Sequence, residues 1–328
     1  MQARILLEGE IRDLIGPAAA YAAVRDAFVA LARGEATLPG VIGFDVPAHR
    51  GEVHVKGAYL HGQPFYSIKE AAGFYANAEQ GVPVGSGLVL VFDATTGLLA
   101  AVLFDNGYLT ELRTGAAGAL AADLLARRRV RKAAVVGAGS QARFQAEALM
   151  LVRRPESIAV FARTPARAAA YAREMEGRLG IPIAVAASAQ SAVEGADIVI
   201  TTTPSRAPIV RADWLAPGVH VTAVGSDGPE KQELEAAVLA RADKVVVDRL
   251  DQCLHLGELH HAVRAGMLAA GDVWAELGEV AAGSKPGRES DDEITVADLT
   301  GVGIQDAAVA NVVVAEAMRR GVGRTIEI

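Results

Sequence analysis

The fold is decided by Lys132–Ala142, KAAVVGAGSQA. A short apolar run of strand type, AAVV, leads directly into Gly137-Ala138-Gly139-Ser140-Gln141-Ala142, and a helical stretch begins near Gln141. Each small residue has a physical task in such a turn. Gly137 permits the tight bend, Gly139 lets the backbone approach a pyrophosphate, and Ala142 allows the helix to pack closely on the strand. The helix N-terminus then faces the anion. A plain strand-to-helix turn makes a second glycine superfluous, so the segment reads as a dinucleotide site with cofactor contacts at Gly137, Gly139, Ser140, Gln141 and Ala142.

Downstream, apolar runs of four to six residues alternate with helical stretches: SIAVFAR, a helix through about 179, ADIVITTTPS, GVHVTAVGS and ADKVVVD. That alternation is the pattern of a doubly wound parallel sheet of Rossmann type, whose ligands lie at the carboxyl ends of the strands. Thr203 and Pro204 end one strand there, and Gly225 and Ser226 end the next; strand termination alone accounts for them equally well. The second strand ends in Phe161-Ala162-Arg163-Thr164 rather than in an acid. An acid would accept from both ribose hydroxyls of NAD, whereas Arg163 and Arg167 suit a 2′-phosphate, which tilts the reading toward NADP; Arg163 stacking on adenine leaves NAD open.

Upstream the pattern changes. Pro17 opens a helix over about 17–33 with Tyr21, Val24, Phe28 and Leu31 on one face. Between about 53 and 110 come VHVKGAYL, PFYSIKEA, GLVLVFD and LLAAVLFD, the last two joined by the turn Asp93–Gly97, which predicts a mainly antiparallel sheet with one covered face. A helix then follows Arg113, with Thr114 as its cap. The final helix, about 306–320, is apolar all round and so is expected to pack back on the first domain or on a second subunit. The division predicted is residues 1–114 with 304–328 as a discontinuous α+β substrate and dimerisation domain, and 115–303 as the dinucleotide domain.

Composition narrows the classes. A chain of 328 residues has length for two cores, and 51% apolar, 22% charged and 34 glycines fit an α/β enzyme. A net charge of −7 argues against a nucleic-acid partner, which needs a concentrated basic face. The one basic cluster, Arg127, Arg128, Arg129, Arg131 and Lys132, sits where a helix ends and offsets its dipole. The single Cys253 fits a reducing compartment and, lacking a base beside it, reads as a neutral thiol rather than a nucleophile. With no continuous apolar stretch near the start, neither a leader nor a membrane span is predicted, and the expected location is the cytoplasm. His255, His260 and His261 with Glu258 do not share a helix face well enough for metal, so no metal is expected.

A second constellation carries charge rather than glycine. Lys69 sits in the sheet segment FYSIKEAAGFYAN and Arg113 where that domain ends; in a cleft, both could meet a carboxylate, Arg bidentately. A lysine whose pKa is lowered by its neighbours could also donate a proton. Asp227, in AVGSDGPEKQEL, would answer an ammonium or iminium. Taken singly, each reads more readily as an ordinary surface pair.

Together, LTELRTGAAGALAADLLA, VVGAGSQARFQAEAL, TTTPS, AVGSDGPEKQELE and DLTGVGIQD resemble, in order and spacing, the motifs of the ornithine cyclodeaminase and mu-crystallin family, which includes archaeal-type alanine dehydrogenase and ketimine reductases. The resemblance spans about 10–320. It implies that Lys69 and Arg113 bind a substrate carboxylate, that Asp227 acts on the nitrogen, that Thr114 and the glycine loop bind cofactor phosphates, and that the protein is a homodimer joined through the sheet domain. Many members have a further Arg where this chain has Val41, so carboxylate binding leans on Lys69, Arg113 and either Lys56 or Arg50. The segments GEVHVKGAYL and DNGYLTELRTGAAGA look most like the branch with ectoine-utilisation enzymes and iminosuccinate reductase. The implied activity is NAD(P)H-dependent reduction of a small imino acid, iminosuccinate or a related ketimine, with Lys56 suiting a second carboxylate. The alternatives are a cyclodeaminase that releases ammonia while recycling NAD, and a non-catalytic NADPH-binding protein.

Overall fold

The computed structural model of the protein describes residues 2–328. It divides into two compact units, one made of the chain up to Arg113 together with Val302–Ile328, the other of Thr114–Gly301.

The first unit is built on an eight-stranded mixed sheet. Its strands run in the order Arg324–Glu327, Gln2–Leu7, Leu99–Phe104, Gly85–Asp93, Phe65–Phe74, Gly51–Leu60 and Ala36–Thr37, with Ile42–Val46 also paired to Gly51–Leu60. The central four strands form the antiparallel meander expected from period-two patterning. Two terminal strands were not expected: Gln2–Leu7 adds to Leu99–Phe104 in parallel, and Arg324–Glu327 closes that edge antiparallel to it. Within Phe65–Phe74 the buried residues are Phe65, Ser67 and Lys69, while Tyr66, Ile68 and Glu70 look the other way. The helices Pro17–Ala32 and Gly303–Arg320 cover the first of these faces. The last helix therefore packs within this unit, and its buried side includes Gln305, Asp306 and Asn311 as well as aliphatic residues. Gly303 is required at its start, because a Cβ there would collide with the backbone of Gly57 at 3.1 Å from its carbonyl carbon.

The helix predicted to begin at Thr114 begins earlier. It spans Tyr108–Leu125, and Thr114 lies inside it. The start is fixed by Asp105, whose carboxylate accepts from the Leu109 N–H at 2.8 Å, and by Asn106 and Gly107, whose φ values of 50° and 84° turn the chain into the helix. Thr114 is therefore not a cap.

The second unit is a parallel sheet of eight strands, in the order Ile183–Val185, Ser157–Phe161, Lys132–Val136, Ile198–Thr201, His220–Ala223, Thr295–Asp298, Lys244–Val247 and Ala275–Glu276. Alternate residues of Lys132–Val136 enter opposite cores: Ala133 and Val135 on one face, Ala134 and Val136 on the other. Both faces are covered, which is why the strands read as continuous apolar runs. A two-stranded ribbon, Arg206–Val210 with Gln232–Leu234, stands apart from this sheet. The carbonyls at the end of Tyr108–Leu125 are met not by the arginine cluster but by Arg153 and Arg288, which donate to those of Asp123, Leu125 and Arg127; Arg127 itself pairs with Asp197 and Arg129 with Glu156.

Candidate active site

In the second unit the glycine loop is built as its sequence requires. Gly137 has φ 122°, and a Cβ there would run into the Thr202 hydroxyl. Gly139, by contrast, has open space where a Cβ would sit and precedes Ser140–Val152 with no side chain capping the helix amides. That combination, bare N–H groups and an unfilled cradle, fits a pyrophosphate. Arg143, which sequence reading passed over, braces the loop by donating to the Ala138 and Gly139 carbonyls at 2.9 Å each while pairing with Glu174. Ala142 is fully buried, and its carbonyl accepts from the Tyr171 hydroxyl at 3.1 Å.

Gly115 and Gly118 let the helix Ser140–Val152 approach Tyr108–Leu125: a Cβ on Gly115 would lie 2.8 Å from the Phe144 carbonyl oxygen. Gln145 fills the groove, donating to the Thr114 carbonyl at 2.9 Å and to the Gln141 side chain at 3.2 Å. Thr114 and Gln141 are thereby brought together beside the glycine loop.

A cavity of about 520 Å³ opens at the carboxyl ends of the parallel strands. Gly137, Gly139, Arg163, Thr164, Thr203 and Pro204 line it, and Arg167 adds a second cation. Gly225, Ser226 and Asp227 follow the adjacent strand end. Ser226 is buried and its hydroxyl donates to the Lys231 carbonyl; Asp227 is partly exposed and pairs with Lys231 at 2.7 Å. Two of the three histidines considered for metal point their ring nitrogens at backbone carbonyls: His260 at Gly257 and Pro229, His261 at Lys231. Among the described residues no group of three or more His, Cys, Asp or Glu comes together to hold an ion. Cys253 is fully buried against Asp248, and burial raises its thiol pKa well above the ordinary value.

In the first unit, Lys56 and Lys69 are direct cross-strand partners. Both are buried, at 7% and 2% exposure, and so is Arg113 at 5%. They converge on a residue the sequence reading did not assign, Asp306, itself 2% exposed: its Oδ1 lies 3.2 Å from Lys69 Nζ and 3.0 Å from Arg113 Nε. Gln305 accepts from Arg113 Nη1 at 2.8 Å, and Thr110 accepts from Lys69 at 3.1 Å. Burial would raise the Asp306 carboxyl, but Lys69, Arg113 and Lys56 together hold it below the usual value. Burial pushes Lys69 down to about 7; Asp306 works against this, and Arg113 and Lys56 reinforce it. Two other carboxylates are in electrostatic reach of Lys69: Glu70, on the opposite face of the strand, and Asp105, pushed up to about 6 by burial and engaged with the helix start. Arg50 does not join the cluster; it is exposed and pairs with Glu79 at 3.1 Å.

Comparison with known proteins bears on both units. The ornithine cyclodeaminase/mu-crystallin family matches residues 1–321. The chain belongs to that family. Three solved structures of similar proteins share its whole fold: an archaeal alanine dehydrogenase dimer with bound NAD (39% identity, TM-score 0.93, all of both chains), a Δ1-pyrroline-2-carboxylate reductase of Thermococcus litoralis with NADH and L-proline (32%, TM-score 0.95, 98% of this chain and 100% of that one), and the iminosuccinate reductase of Paracoccus denitrificans with NAD+ (31%, TM-score 0.91, all of both). The chain is an oxidoreductase of this family. The tilt toward NADP drawn from Arg163 finds no support in these relatives, which hold NAD or NADH. No single helix among the described residues is long and apolar enough to cross a membrane.

Proposed function

We propose that the protein reduces a small 2-imino acid bearing a second carboxylate, of the iminosuccinate class, to the amino acid with NADH. The observation that carries this reading is the buried convergence of Lys56, Lys69 and Arg113 on Asp306. Three cations facing one shared carboxylate, with Asp105 engaged elsewhere, favour an anionic ligand, because buried charge is tolerated only when paired.

In this reading Arg113 and Lys69 hold the 2-carboxylate and Lys56 the distal one. The glycine loop, Thr114, Ser140, Gln141, Arg163, Thr164, Thr203, Pro204, Gly225 and Ser226 hold the dinucleotide. A bound reduced nicotinamide supplies the two electrons, as a hydride to the imine carbon. To Asp227 we assign the nitrogen, where its carboxylate would stabilise the positive charge of the protonated imine before transfer. Transfer leaves a neutral amine, and Lys69, with a pKa near 7, is able to protonate it. Chain and cofactor together thus fix orientation and charge.

Cyclodeamination fits this site less well. A diamino acid would bring a second ammonium toward Lys56 and Lys69, where like charges repel. Incubation with NADH, ammonia and a panel of 2-oxo acids separates the two: the reductase reading expects one NADH consumed per amino acid formed, with dicarboxylic acids preferred. Ammonia release from a diamino acid with no net NADH change would overturn it.

We further propose that the chain is a homodimer through the outer face of the first unit's sheet. Tyr66, Ile68, Leu90, Phe92, Val102 and Phe104 form that face, with Tyr66 and Phe92 stacked at 5.0 Å and Ile68 and Phe104 39% and 43% exposed.

A further inference from the structure

We infer that Glu233 is a positioning residue of the cofactor crevice, setting the spacing of the two strand-end loops that carry Thr203 and Pro204 on one side and Gly225, Ser226 and Asp227 on the other. This rests on the dinucleotide reading of that crevice. Glu233 is fully buried on the short strand Gln232–Leu234, outside the main sheet. Its Oε2 accepts from the Thr201 hydroxyl at 2.7 Å and the Gly225 N–H at 2.8 Å, and its Oε1 accepts from the Thr203 N–H. One carboxylate thus ties together the ends of the strands Ile198–Thr201 and His220–Ala223. The approach is so close that a Cβ on Gly225 would strike the Thr203 backbone and would lie 2.6 Å from Glu233 itself.

Two further carboxylates fix Glu233 in turn. Glu258 accepts from the N–H groups of Glu233 and Leu234 at 2.7 and 3.1 Å, and Asp298 accepts from those of Glu258 and Leu259 at 2.9 Å each. Gly257, at φ 76°, leaves room for the Asp298 carboxylate, which a Cβ would meet at 2.7 Å from Oδ1. Three acids in series therefore run from the end of the strand Thr295–Asp298 to the loop before Asp227. All three donors on Glu233 demand an acceptor, so the carboxylate is chemically specific. An amide has one acceptor oxygen and would turn an NH2 group toward donors.

Burial pushes Glu233 up to about 7, the hydrogen bonds from Thr201, Thr203 and Gly225 opposing it. The charged groups that face it through the series are Glu258, whose pKa burial raises well above the usual value, and Asp298, raised by burial to about 7; the Asp227–Lys231 pair lies on the neighbouring loop. Protonation below neutrality removes the charge and an acceptor, so the loops loosen on the acid side.

The test is NADH binding to the purified full chain, followed by nicotinamide fluorescence as pH is varied, with thermal unfolding measured in parallel. Glu233→Gln is expected to weaken NADH by about tenfold to a hundredfold, the loss of a charge-assisted hydrogen bond, and to abolish the acid limb that wild type shows near neutrality. Thr201→Val, a milder change that removes one donor, is expected to weaken NADH severalfold and serves if Glu233→Gln does not fold. Unchanged affinity in a folded Glu233→Gln or Thr201→Val overturns the inference, as does an acid limb that survives in Glu233→Gln and so belongs to Asp298 or Glu258. Wild type that binds no nicotinamide dinucleotide overturns the cofactor reading instead.

Discussion

Replacing Asp306 with Asn removes a carboxylate that Lys69 and Arg113 both touch, with almost no change of shape. At an effective dielectric of about 20, two unit charges about 3 Å apart attract by about 5 kcal/mol, an upper bound for either pair. Breaking a buried pair by deleting one partner destabilises proteins by about 3–5 kcal/mol. Lys69 can relieve part of this by losing its proton, because burial already holds it at about 7. D306N is therefore expected to lose about 3 kcal/mol of unfolding free energy, read by urea denaturation. The kinetic consequence has a definite sign. Lys69 is depressed, so its charged form is present below about pH 7 and lost above it, and kcat/KM, which reports groups of the free enzyme, should fall on the alkaline side. Without Asp306 that limb should move to lower pH by about 1 to 3 units, the influence of one opposite charge at this range. K69R, charged throughout, should lack the limb. A D306N protein that unfolds at the wild-type urea concentration and keeps the wild-type alkaline limb would refute the coupling of the two residues.

Four further variants have expected outcomes. K56M should raise KM for dicarboxylic substrates by about tenfold or more while monocarboxylic substrates change little, since one charge-assisted contact is lost; equal effects on both would remove Lys56 from the distal carboxylate. G139A should unfold within about 1 kcal/mol of wild type yet bind NADH poorly, because its Cβ enters open space that a phosphate needs, whereas G137A should lose about 1–3 kcal/mol through strain at φ 122°. I68D, on the outer sheet face, should shift the light-scattering mass from dimer to monomer; an unchanged dimer places the interface elsewhere.

What the sequence made legible follows from the range of each signal. The strand, loop and helix at 132–152 could be read because every constraint on it is local: Gly137 needs its φ, Gly139 its open approach, Ala142 its burial. The parallel sheet was legible from runs buried on both faces. The start of the helix containing Thr114 was missed because Asp105-Asn106-Gly107, whose cap and positive φ values set it, lies before the segment taken as decisive. The strands Gln2–Leu7 and Arg324–Glu327 escaped because each is short and pairs only with sequence far away. Asp306 was quoted within DLTGVGIQD without a role: it sits in a helix that reads as apolar all round, and its partners Lys69 and Arg113 come from a strand and a helix remote in the chain. Glu233, Glu258 and Asp298 look like ordinary solvated acids until the fold buries them against backbone amides. Lys56 against Arg50 could not be told apart from composition; Lys56 pairs with Lys69 across two strands, whereas Arg50 is exposed and paired with Glu79, which favours Lys56 in the proposed reading.

The central claim is that two electrons pass from the nicotinamide to the carbon that bears the nitrogen. NADH carrying deuterium at the transferring position of its ring, mixed with the enzyme, ammonia and a dicarboxylic 2-oxo acid, should yield an amino acid with one deuterium at C2 for each NADH oxidised, read by mass spectrometry. An unlabelled product, or ammonia released from a diamino acid with NADH left intact, would contradict it.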